Sequence, residues 1–122
     1  MSTTAGASVS RSAPSPVVLG QSSIGGLAWR PLNDLGDVRS KVLMKSRDCV
    51  AGLLRLESGT SEHAHVHADA HHHGWVVQGE AKVAGYPVRE GSYFHIPAGA
   101  EHAITDVGPH GCEVFYVYQP LR

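Results

Sequence analysis

The brevity of its apolar runs limits most strongly how this chain can fold. From Leu27 onward, stretches rich in Val, Leu, Ile, Tyr and Phe last only a few residues before Gly or Pro interrupts them. Residues 38–44 and 49–56 predict two strands separated by a polar turn at 45–48. Ser58 and Gly59 turn the chain, and 62–67 alternates with His63, His65 and His67 on one face, because residues two apart in a strand point the same way. Residues 74–78 predict a further strand, with Gly79 and Glu80 as its turn. Residues 82–88, with Gly85 and Pro87 inside, suit an edge or a bend. Glu90 and Gly91 lead into 92–96, residues 97–99 make a tight turn into 101–105, and 108–111 closes a last hairpin before 113–119. No longer stretch keeps a helical period. Many short strands at close spacing predict an all-β sandwich or barrel.

With 122 residues there is room for one domain. Residues 1–23, rich in Ser, Ala, Thr and Pro, predict a low-complexity tail, and 24–122 the folded domain. Ten Lys and Arg against eleven Asp and Glu leave the chain almost neutral, which argues against a nucleic-acid partner. The longest apolar runs are too short to cross a bilayer, and the start lacks the basic and apolar segments of a signal peptide. A cytoplasmic location is therefore expected. Cys49 and Cys112 stand apart in apolar surroundings and are read as buried free thiols.

Histidine is the compositional outlier. Nine occur in the chain, and six of them fall between His63 and His73. His65 and His67 share one strand face and form a natural chelating pair. His72 and His102, from neighbouring stretches, are candidates for a third and a fourth ligand. Neutral imidazoles suit zinc, copper, iron and nickel, and three or four of them leave positions open for water or substrate. His71, His73 and His110 are read as solvated surface. His63 has the parity of the pair but stands where a strand would begin.

These residues resemble the two motifs of the cupin superfamily. Gly59 is followed after five residues by His65, Val66 and His67, then, past four more, by His72 and, past a further six, by Gly79. Gly91 is followed after five residues by Pro97, Ala98 and Gly99, and then, past two more, by His102. The resemblance implies a jelly-roll barrel of two antiparallel sheets (a double-stranded β-helix) around one divalent metal held by His65, His67, His72 and His102. One position departs from the pattern: His72 stands where most members carry a glutamate, with His71 as an alternative occupant. Without that carboxylate the ligands are neutral, so the site is expected to keep the full double positive charge of the metal and to attract anionic or enolate ligands.

Trp29, Arg30 and Pro31, together with the run Gly91 to Pro97, are similar to the subgroup holding anti-sigma-factor ChrR domains and small dioxygenases of β-diketones and hydroxyacetophenones. That likeness implies an oxidoreductase that splits a carbon–carbon bond of a small diketone or hydroxyketone with ferrous iron on His65, His67 and His102. A second possibility is a non-redox isomerase, lyase or cyclase using manganese, zinc or nickel, with His63, His95, Tyr93 or Glu101 moving the proton; copper is a further possible ion for the site. A third is a metal or small-molecule sensor without catalysis. The family also implies a homodimer. Fold alone does not decide among these.

Overall fold

The computed structural model describes residues 14–62 and 64–121; His63 lies outside the described residues. A short helix, α1 (Gln21–Gly25), precedes the strands among the described residues. It is tied to the sheet by Lys41, whose Nζ donates to the Ile24 carbonyl at 2.9 Å and sits 4.7 Å from the centre of the Trp29 ring. The strands are β1 (Arg30–Pro31), β2 (Val38–Lys45), β3 (Val50–Leu56), β4 (His65–Val66), β5 (Ala70–Val83), β6 (Tyr86–Arg89), β7 (Tyr93–Ile96), β8 (Glu101–His102), β9 (Ile104–Thr105) and β10 (Cys112–Pro120). An eight-stranded sheet runs β1-β2-β3-β10-β5-β6, with β7 and β9 also pairing β5, and β4 and β8 form a small second sheet. All pairings are antiparallel.

The expected turn at Gly79 and Glu80 is not a turn. β5 runs on for 14 residues. Along its first part it pairs with β10 on one side and β7 on the other; at its end it pairs with β6 and β9. Between the two parts the β5–β10 register shifts, with Gln78 facing Glu113 and Val76 facing Val114, so Val77 is one residue extra. Such a bulge bends a strand and sharpens its twist. Gly79 follows the bulge with a φ of 85°, and a Cβ there would lie 2.0 Å from the Gly111 carbonyl oxygen. Only glycine meets both conditions. The true hairpin turn is at Ala84 and Gly85, with φ values of 50° and 84°, the double positive φ that a two-residue turn between twisted strands requires.

Alternation sets the core. In β3, Gly52, Leu54 and Leu56 are buried; in β10, Cys112, Val114 and Tyr116 are. Leu56, Val76, Val114 and Cys112 are almost wholly enclosed, and burial of such apolar area is the main stabilising term. Both cysteines are free. No helix among the described residues is long and apolar enough to cross a membrane.

Candidate metal centre

His65 and His102 face each other across the β4–β8 pair, with ring centres 4.4 Å apart. His67, just past β4, has its ring centre 5.0 Å from that of His65 and 5.1 Å from that of His102. Each of the three offers one ring nitrogen, and those atoms lie within 4.8 Å of one another. Backbone bonds hold the arrangement. The Gly99 N–H donates to the His67 carbonyl at 3.0 Å, and the Ala100 N–H donates to Pro97 at 3.1 Å, so the turn before β8 is fastened to the loop after β4.

The donor set fits a divalent ion of the late transition series. His102 Nδ1 lies 3.1 Å from the Ala100 carbonyl oxygen. A carbonyl only accepts, so Nδ1 carries the hydrogen and Nε2 keeps its lone pair; a second partner of this kind orients metal-ligating histidines. That Nε2 is buried and has no hydrogen-bond partner, an arrangement that costs free energy unless a ligand satisfies it. His67 is pushed below the usual imidazole range, first by burial and then by the charges of His102 and His65. Both effects favour the neutral ring, the form that binds metal.

His72 is placed differently. It is 4% exposed, and its ring centre stands 5.8 Å from that of His67 and 6.0 Å from that of His102, outside the group of three. It stacks on Tyr118 at 4.5 Å and 30°, its partner in the β5–β10 register. Burial, and then the neighbouring imidazoles with His67 first, bring its pKa down to about 3. Both ring nitrogens are buried without partners. The structure thus gathers three of the four expected histidines and sets the fourth behind them.

The proposed proton carriers stand elsewhere. In β7, Phe94 and Ile96 turn inward while Tyr93 and His95 are exposed. On that outer face His95 stacks on its cross-strand partner His73 at 4.6 Å, and His73 Nδ1 lies 2.8 Å from the Tyr93 hydroxyl. Glu101 is exposed and paired with Val66, one residue out of phase with His102. The structure does not bring these three to the histidine cluster, because strand alternation turns them away. His71 faces outward as well, and its Nδ1 accepts from the Ala98 N–H at 3.1 Å. His110 lies in an exposed loop.

Beside the cluster opens a cavity of about 500 Å³. Val38, Leu54 and Ile104 form its apolar wall, and Thr60, Glu62 and Tyr118 also line it. Burial, and then the charges of Tyr116 and Glu62, push the Tyr118 phenol up to about 12, so it stays protonated. Tyr118, Thr60 and Glu62 carried no motif to mark them; the place of Tyr118 follows from its register against His72 in the sheet.

The two antiparallel sheets have the fold of solved cupin structures. The chain is similar to KdgF from Halomonas sp. (21% identity, TM-score 0.66, covering 78% of this chain and 87% of that one). It is equally similar to an RmlC-like cupin from Shewanella frigidimarina (20%, 0.66, 80% and 87%), and also to the cupin domain of Schizosaccharomyces pombe Cnp3 (15%, 0.69, 81% and 72%). At such identities the likeness shows the fold alone. The model of the ChrR Cupin-like domain matches residues 22–122, and the chain belongs to that family. Comparison with curated proteins gives no match.

Proposed function

We propose that the protein is a metal-dependent dioxygenase that cleaves a carbon–carbon bond in a small diketone or hydroxyketone, with His65, His67 and His102 as ligands of a divalent ion, ferrous iron before manganese, zinc, nickel or copper. One observation carries this reading: three imidazoles with ligand atoms within 4.8 Å of one another in the lining of a half-open cavity large enough for a small substrate. An ion held there supplies Lewis acidity and, as ferrous iron, the electrons that dioxygen chemistry draws on. The chain's own residues hold and shield. Ala100 fixes the His102 tautomer. His72, neutral and packed on Tyr118, occupies the position of the usual glutamate without adding charge. Val38, Leu54 and Ile104 give the cavity an apolar wall for the substrate carbon chain.

A second reading, a non-redox isomerase or lyase, is favoured by Glu62, a carboxylate that lines the same cavity and suits proton transfer. Oxygen uptake separates the two. Protein loaded with ferrous iron should consume dioxygen with a 1,3-diketone or a hydroxyketone; conversion under anaerobic conditions with zinc or manganese, and no uptake across the panel, supports the second reading and defeats the first. We also infer a homodimer formed through the outer sheet face, where Phe115, Trp75 and Tyr93 lie in one row across β10, β5 and β7 and all three are exposed.

A further inference from the structure

We propose that the cavity selects an uncharged small molecule carrying a carbonyl or hydroxyl oxygen, with Thr60 as its hydrogen-bonding anchor and the carboxylates of Asp37 and Glu62 turning anionic ligands away. This rests on the reading of the cavity as the ligand site, and adds the charge class of what enters it.

Thr60 is 6% exposed, lines the cavity, and its Oγ1 is buried with no hydrogen-bond partner. Its backbone is settled, since the N–H donates to the Glu57 carbonyl at 3.1 Å. A buried hydroxyl without a partner is less stable than a methyl group of the same shape, so valine would suit this position better unless the hydroxyl meets something that enters. A ligand oxygen is the natural partner, because a hydroxyl both donates and accepts.

Glu62 is pinned at two points. Its N–H donates to the Ile104 carbonyl at 2.9 Å, and its Oε1 accepts from the Ile104 N–H at 3.0 Å. The carboxylate is thereby held on the cavity wall beside the strand that follows His102. Asp37 lines the cavity as well. It is half-buried, accepts from the Asn33 side-chain amide, and is anchored through its carbonyl, which accepts from the Glu57 N–H at 2.9 Å. Among the described residues lining the cavity, Asp37 and Glu62 are the acidic ones.

The charge balance follows. Counting metal ligands alone gives three neutral imidazoles and the full double positive charge of the ion, hence the expectation of an anion-attracting site. Two carboxylates on the cavity wall bring the local sum close to zero. An oxygen that reaches the histidine cluster is unaffected by this. A carboxylate or phosphate elsewhere on the ligand meets like charge in a partly desolvated space, where repulsion is poorly screened. Selection comes from the wall and not from the ligand set.

The test is isothermal titration of the zinc-loaded protein with two probes of matched length that share the same diketone end, 2,4-heptanedione (uncharged at pH 7) and 4,6-dioxoheptanoate (a carboxylate at the far end). The uncharged probe should bind at least tenfold more tightly. Thr60→Val should weaken it at least fivefold while leaving the melting temperature unchanged or raised, which a merely structural threonine would not do. The double variant Asp37→Asn, Glu62→Gln, whose amide oxygens keep the accepting roles, should narrow the ratio between probes at least threefold. Equal or tighter binding of 4,6-dioxoheptanoate, an unchanged ratio in the double variant, or binding of neither probe overturns the proposal. Zinc content, measured on the same samples, reports on the metal reading separately. If the protein holds no zinc, the metal reading fails, and the same comparison on the metal-free protein judges the charge selection by the same criteria.

Discussion

Acidification should destabilise the metal-free protein through His72. In the folded state its pKa is about 3, against 6.5 for the free side chain. Between those values the unfolded chain binds a proton that the folded chain refuses, so stability falls as the pH drops. The contribution is nearly complete above pH 6.5, shrinks through the window down to about 3, and is constant below it. Integrated over the window, the loss is roughly 5 kcal/mol, of which about 2 kcal/mol falls between pH 7 and pH 5. That is a substantial part of the stability of a domain this size. His67, with a shift of the same direction, titrates alongside it, so the contribution of His72 is read by difference. Urea unfolding of chelator-treated wild type and His72→Gln at pH 7 and pH 5 gives it. Wild type should lose about 2 kcal/mol more than the variant across that interval. Equal losses in the two proteins would show that His72 is not held neutral in a buried site.

Three further outcomes are expected. Gly79→Ala should cost about 3 kcal/mol or more, because a left-handed φ and a clash with the Gly111 carbonyl act together; a thermal shift of less than a degree would contradict this. Leu56→Ala empties a fully buried position and should cost about 2–5 kcal/mol by urea unfolding, whereas Leu32→Ala, at an exposed position, should cost about 0.5 kcal/mol or less. Trp75→Glu places a charge in the exposed aromatic row and should shift the protein to monomer in analytical ultracentrifugation; an unchanged dimer would move the interface elsewhere.

Much of this fold was legible in the chain because Gly and Pro mark where strands stop. What misled was Gly79, since a positive φ serves a tight turn and a bend within a strand equally well, and only the pairing of β5 with β10 tells them apart. The histidine trio was legible because motif spacing fixes which residues meet across the β4–β8 pair. The reach of His72 was not: its place depends on Tyr118, 46 positions away in sequence, filling the space beside it. For Tyr93 and His95 the signal was present and pointed outward, since Phe94 and Ile96 are the apolar members of that alternation. Thr60 and Glu62 lie in the connection between β3 and β4 and Asp37 lies just before β2, and their convergence on one cavity is a tertiary fact that no local pattern encodes.

Metal content is the most direct test of the central claim. Elemental analysis of protein purified from its native host should find close to one late transition ion per chain in wild type, with paramagnetic resonance reporting nitrogen ligands, and almost none in His65→Ala or His102→Ala. Full occupancy in both variants would contradict the assignment of those histidines as the ligands.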